Sequence, residues 1–435
     1  MIYLLVAATL ALAHPLALGE GAQSATATRV LPNGLKVVVR ARTGLPIVAL
    51  DLWVLAGTGM ETAGEEGAAH FVEHLLFRGT ATRASGESDA AVEALGGVLN
   101  AGTTRDGAHV YTTVPSSGLD EALEVIADMA MRPLLRDADV DLERGVILDE
   151  VAAAASNPDR AAIEGLMASL YPGHGYGRPL LGSPEALRRL DAATVRSFHA
   201  RCWSPRGAVL VLVGNVDAGR AIASAERVFG GWGPTPASQE PPLPASLSLN
   251  PAEDLPASDQ VVLGWAYRAD ALGGRDRLTL DALAAVAGAA PGGRLRRELA
   301  SMALPGYPVV EARQLRGGGV LSVLVGCDRQ RVGDVRAAVE RVMGALAKQE
   351  CSGEEIRHAA QWLASCALFD KETVEGEARS LATAELLRLS GASSPVADPD
   401  GGVSAADVHA LSRRLLDAAH SAHVVVPLAR SGRQR

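Results

Sequence analysis

Aromatic residues are scarce in this 435-residue chain: Phe, Trp and Tyr together make up 4%. Its core must therefore be built mainly from Ala, Leu and Val. Cysteine is scarcer still. Cys202, Cys327, Cys351 and Cys366 lie far apart with no Cys-x-x-Cys spacing, which excludes a cysteine-held zinc cluster, a thioredoxin-like site and a disulfide scaffold. They are expected as buried free thiols, although one unspecified pair could bridge in an oxidising compartment. An excess of basic charge is also missing: 41 Lys and Arg face 50 Asp and Glu, for a net charge of -9. No nucleic-acid partner is expected from that balance. Beyond the first residues no apolar run approaches the roughly 20 residues that span a bilayer, so no stable membrane insertion is expected. What is present is 48% hydrophobic residues with 46 Gly and 23 Pro. At roughly 100–200 residues per domain, this length implies a globular protein of two or three domains.

Met1–Ala13 (MIYLLVAATLALA) is apolar but short, and small residues follow it. It reads as the apolar segment of an export signal, although no Lys or Arg precedes it; the alternative is a buried N-terminal strand. The expected organisation is a signal and leader over 1–24, a first domain over 25–230, a linker over 231–258, a second domain over 259–425 and a basic tail over 426–435. Export implies a periplasmic or extracellular location in a bacterium. Pro32-Asn33-Gly34 marks a turn before a β-branched strand, and further strands are expected at 47–55, 109–114, 208–213, 260–267 and 319–327. Helices are expected at 67–77, 119–131, 139–155 and 184–201; in the second half long helices follow the strand at 260–267, a strand pair takes 319–327, and helices then run to about 419. Strands and helices mix without strict alternation, which predicts an α+β fold. The linker is rich in Pro, Ser and Gly, and the half beyond it repeats the element order of the first, which implies an internal duplication.

Residues 70–74 read His-Phe-Val-Glu-His within a helical stretch. On a helix, positions i and i+4 share a face, so His70 and His74 present two imidazoles to one ion. Glu73 lies beside that face, placed to act on an activated water rather than on the metal. This is the inverted zincin arrangement. A catalytic zinc needs a third protein ligand and an open position. Glu150 is the candidate, on the helix that also carries Glu143 two turns earlier. Glu143 is assigned to orienting a ligand histidine through its free ring nitrogen. The bland alternative is a solvated helix face with Arg144 as partner. Manganese or cobalt would suit the same ligands.

These residues resemble the pitrilysin-type zinc metallopeptidases, the family of insulin-degrading enzyme and mitochondrial processing peptidase. The resemblance extends to Gly57–Glu61 (GTGME), Gly67–Thr80 (GAAHFVEHLLFRGT), Leu99–Thr104 (LNAGTT) with Val110-Tyr111, and the helix from Glu143 to Glu150. It continues through Tyr176–Pro179 (YGRP), Gly182, Trp203–Pro205 (WSP) and Val213–Asp217 (VGNVD). It covers about residues 28–420, strong in the first half and weak in the second. It implies two homologous α/β-layer domains forming a half-clamshell of the mitochondrial processing peptidase type. The implied cofactor is one Zn2+ per chain, held by His70, His74 and Glu150, with Glu73 as general base. The implied substrate is an unfolded peptide, paired with the backbone at Asn100 and Ala101; Asn100 as a plain turn residue stays open.

Related enzymes carry an Arg and a Tyr, seven residues apart, that reach the substrate carbonyl. In Gly292–Tyr307 (GGRLRRELASMALPGY) the tyrosine position falls on Tyr307, a substrate contact or a buried aromatic, while the arginine position is Ala300. Arg296 and Arg297 lie a helical turn before that position and would fill it only if the helix register shifts. The departure implies a homologous partner subunit that supplies the Arg/Tyr pair, or else a homodimer without the Arg. The expected activity is zinc-dependent endopeptidase. The alternatives are a non-catalytic scaffold subunit of the same fold and a zinc-storage protein, although neither requires Glu73.

Overall fold

The computed structural model describes residues 26–233, 241–247, 258–303, 308–387, 402–416 and 421–427. The expected signal, most of the linker, Tyr307 and residues 428–435 of the tail lie outside them. The first sheet begins as a hairpin between β1 (Thr26–Val30) and β2 (Lys36–Ala41). Its turn is closed by Asn33, whose side-chain oxygen accepts from the Leu35 amide at 3.2 Å, and by Gly34 at φ 99°. With β3 (Ile47–Val54), β4 (Val98–Thr103), β5 (Ala108–Pro115) and β6 (Ala208–Gly214) it forms six strands in the order β1-β2-β6-β3-β5-β4. Only β2 and β6 run parallel.

The β3 strand is buried on both faces because both are covered, and it is apolar apart from Asp51. Leu50, Leu52 and Val110 meet Phe71, Leu75, Leu123, Ile126, Phe198 and Phe229 from helices that follow in the same half. On the other face Ala49, Trp53, Val209 and Val211 meet Ala378, Ala382 and Leu386. Those three residues sit on the helix Val374–Leu386, which comes from the second half of the chain. Ion pairs fix it there: Lys36 with Glu385, and Arg40 (2.7 Å) and Arg42 (3.1 Å) with the buried Glu377.

The second sheet holds β7 (Gln260–Asp270), β8 (Val309–Leu315), β9 (Gly318–Asp328) and β10 (Ser421–Pro427), all antiparallel, in the order β10-β7-β9-β8. That order repeats β6-β3-β5-β4 strand for strand, so the duplication expected from element order is present in the topology. One face packs on helices of its own half through Leu280, Leu283, Val335, Val339 and Leu411. The other is covered by Ala162, Leu166, Met167 and Leu170 of the helix Pro158–Leu170, from the first half. The two domains thus trade one helix each, which a division of the chain by sequence position does not reveal.

Two expectations need correction. The single helix expected over 184–201 is two, Pro184–Arg189 and Ala192–Cys202, because Asp191 starts the second by accepting from the Thr194 amide at 2.8 Å. The strand β10 lies where no strand is expected and takes in residues 426 and 427 of the expected tail. Cys202, Cys327 and Cys351 are buried and Cys366 is half-buried, all as free thiols. Among the described residues, no helix is long and apolar enough to cross a membrane.

Candidate active site

The two histidines lie on the helix Ala68–Leu75, held against the sheet by Phe71, Val72 and Leu75. Its start is a crowded corner. Gly67 adopts φ 90°, and a side-chain carbon there would lie 2.8 Å from Leu187, so only glycine fits. The carboxylate of Glu61 serves as the missing cap, accepting from the Gly67 (3.0 Å) and Ala69 (3.1 Å) amides. Glu61 is 1% exposed, and its burial pushes its pKa up to about 8.

His70 and His74 meet edge to face, with ring centroids 4.7 Å apart. The helix Asp137–Ala154 crosses them, turning Val140, Glu143 and Ile147 inward. Glu150 continues that seam one turn further on. Its Oε2 lies 3.5 Å from Nε2 of both His70 and His74, and the three ligand atoms all fall within 4.8 Å of one another. Burial, aided by the nearby His74 and Arg160, pushes His70 down to about 3. Its imidazole is therefore neutral near pH 7, with a lone pair free to bind a metal. Two imidazoles and one carboxylate, the last 44% exposed, form a three-ligand set with an open side. That set fits a catalytic zinc.

Glu143 is 3% exposed, and its Oε2 lies 2.8 Å from Nδ1 of His74. The same carboxylate is clasped by the Arg78 guanidinium, a partner the sequence reading did not assign. Arg144, offered as the bland partner of this face, turns away and donates to the Leu190 carbonyl at 2.7 Å.

Glu73 is half-buried beside this set and accepts a hydrogen bond from the Thr103 hydroxyl. Burial raises its pKa above the usual carboxylate range; Thr103 and His74 oppose the rise. Thr103 ends β4, the edge strand of the sheet. The bond ties the candidate base to the strand carrying Asn100 and Ala101, which pair inward with Tyr111 and Val110. Asn100 is exposed and belongs to the strand, not to a turn. Nothing local in the sequence links Thr103 to Glu73, 30 positions earlier.

Among the described residues the second half offers no such set. The helix Gly274–Ala284, which follows β7 as Ala68–Leu75 follows β3, has no His-x-x-Glu-His motif. Ala300 is exposed on the helix Arg294–Ser301. Arg296 donates to the Gly288 carbonyl at 2.7 Å and Arg297 to Glu355 at 3.1 Å, so neither takes the absent arginine's place by default.

A two-domain α+β fold with an inverted His-x-x-Glu-His helix and a carboxylate from a second helix defines a class of metallopeptidase-like proteins. The chain belongs to the insulinase family, peptidase family M16: the model of that family matches residues 36–184, and the model of the peptidase M16 inactive domain matches 189–362. An uncharacterized zinc protease of Mycobacterium leprae is 30% identical over 420 residues, 94% of each chain. The β subunit of the mitochondrial-processing peptidase of Blastocladiella emersonii is 30% identical over 200 residues, 46% of this chain and 43% of that one. Among solved structures, a protease from Helicobacter pylori superposes with a TM-score of 0.82 at 19% identity, covering 93% of this chain and all of the other. A peptidase M16 inactive domain from Pseudomonas fluorescens reaches 0.80 at 20% identity, covering 92% and 97%.

Proposed function

We propose that the chain is a zinc-dependent endopeptidase acting on extended, unfolded peptides. The observation that carries this reading is the convergence of His70, His74 and Glu150 next to Glu73, with Glu73 itself bonded to an open sheet edge. Zinc held there would supply Lewis acidity, acidifying water and polarising a carbonyl. The protein supplies the rest. Glu143 fixes the His74 ring so that Nε2 faces the site. The edge of β4 at Asn100 and Ala101 binds substrate backbone as an added strand, largely independent of sequence. Glu73, with its pKa raised, takes a proton from water and passes it to the leaving amine.

The same reading includes export of the chain and a homologous partner that brings the missing Arg/Tyr pair. The relative named as a β subunit supports an assembly of more than one chain. Ala300 favours the second reading, a non-catalytic subunit, if no partner completes the site. The test is peptide cleavage by the zinc-loaded chain, alone and with a homologous chain from the same host, against Glu73→Gln. The variant is expected to keep its zinc and lose turnover by about 10²–10⁴-fold. Wild-type turnover in the variant would overturn the assignment, and zinc binding without cleavage in either setting would leave the scaffold reading standing.

A further inference from the structure

The face of the first sheet turned away from the His helix carries a polar pair within apolar surroundings. Asp51 of β3 is 3% exposed and His109 of β5 is 8% exposed, with Nδ1 of the ring 2.9 Å from the Asp51 carboxylate. A carboxylate only accepts, so Nδ1 donates to it, and in the neutral ring Nε2 is then an acceptor. The ring cannot swing: Trp53 stacks on it at 4.1 Å and Tyr111 at 4.8 Å. Nε2 makes no hydrogen bond among the described residues. It is aimed instead at Gly102, the residue paired with His109 across β4 and β5, where a side-chain carbon would lie 2.8 Å from it. The glycine therefore leaves open the space above the edge strand, and the imidazole leans into it.

We propose that Asp51, His109 and Gly102 form a specificity subsite for a long side chain ending in an N–H donor, Lys or Arg, on the peptide residue that pairs opposite Gly102. The proposal rests on the peptidase reading, and on β4 as the strand that receives substrate. In an added strand, the residue opposite Gly102 points to the same face as Gly102 and His109. Strands stand about 4.8 Å apart, so that residue begins two spacings from the His109 backbone, with only the imidazole itself reaching part of the way across Gly102. Only a long side chain closes the gap. The acceptor Nε2 and the adjacent Asp51 carboxylate favour a cation and repel a carboxylate. The other charges on this face largely cancel: Arg379 lies 5.1 Å over the Tyr111 ring and is paired with Glu375 at 2.8 Å. Glu73 lies on the opposite face, bonded to Thr103.

The experiment compares two peptides that differ at this position only, lysine against norleucine, which has a similar reach and no charge. Cleavage is measured with the zinc-loaded protein in its active assembly, and binding with its Glu73→Gln form by fluorescence anisotropy. The lysine peptide is expected to be preferred about 10-fold or more, as for a hydrogen bond to a charged group. His109→Val should reduce that preference to within about twofold, in both assays, while norleucine values stay close to wild type. His109→Gln keeps an acceptor and should retain part of the preference, which guards against a valine variant that fails to fold. Gly102→Ala should weaken it by displacing the ring. An unchanged preference in His109→Val, or an equal loss on both peptides, overturns the subsite. If no peptide is cleaved, the peptidase reading fails, while the anisotropy ratio still decides the subsite.

Discussion

Replacing Glu143 with alanine removes the buried carboxylate shared by the His74 ring and the Arg78 guanidinium. Two consequences separate. Without its Nδ1 partner, His74 loses a fixed orientation, and loss of such an outer partner typically weakens metal binding by about 10–100-fold. That factor corresponds to about 1.4–2.7 kcal/mol. Stability also falls, because Arg78 loses its counter-charge. Its side chain is 34% exposed, however, and can turn to water, so the cost stays below the roughly 3–5 kcal/mol of a fully buried broken pair. About 1–2 kcal/mol is expected. Glu143→Gln, with one acceptor in place of two, should fall between. Zinc affinity is measured by competition with a chromogenic chelator at pH 7.5, and stability by thermal unfolding of the zinc-free protein. Glu143→Ala with zinc affinity within twofold of wild type would refute the reasoning, whatever its Tm.

Glu61 supplies a pH-dependent prediction. Its folded pKa of about 8 stands above the ordinary 4.5 because burial penalises the anion, so the folded chain holds a proton that the unfolded chain releases. Stability from this group is therefore full below about pH 4.5 and is lost progressively up to about pH 8. Glu61→Gln is neutral throughout and still accepts a hydrogen bond, so its Tm relative to wild type should rise between pH 5 and 8; a flat difference would count against the buried proton. Glu377→Ala leaves Arg40 and Arg42, 23% and 34% exposed, without their shared carboxylate. Unfolding in urea should show a loss of about 1–3 kcal/mol, moderated by that exposure, and an unchanged midpoint would mean the helix Val374–Leu386 is held by apolar contact alone.

The parts of the site that were legible in the amino-acid order are those set by helical spacing. His70 and His74 one turn apart, and Glu143 and Glu150 two turns apart, follow from 3.6 residues per turn, and both helices present them as expected. What joins the elements was not legible. The Glu73–Thr103 bond spans 30 positions and the Arg78–Glu143 contact 65. No local pattern encodes such pairs, although Arg78 four residues after His74 was a hint. The apolar stripe on Val374–Leu386 announces a buried face but not which sheet buries it. The break at Asp191 was signalled by an Asp-x-x-Thr cap inside a pattern that otherwise reads as one helix.

The traded helices give the half without a metal motif a mechanical task. Glu150 sits in the last turns of Asp137–Ala154, and only Ala155, Ser156 and Asn157 separate that helix from Pro158–Leu170, which is moored on the second sheet. The third ligand is thus tethered to a foundation in the other domain, while the two histidines stand on the first. A cut within 231–258 would not yield two separable pieces, since each fragment would carry the lid of the other's sheet. Any rocking of one half against the other would be felt as a pull on a single carboxylate, so the rigidity of that mooring sets how well the metal seat keeps its shape.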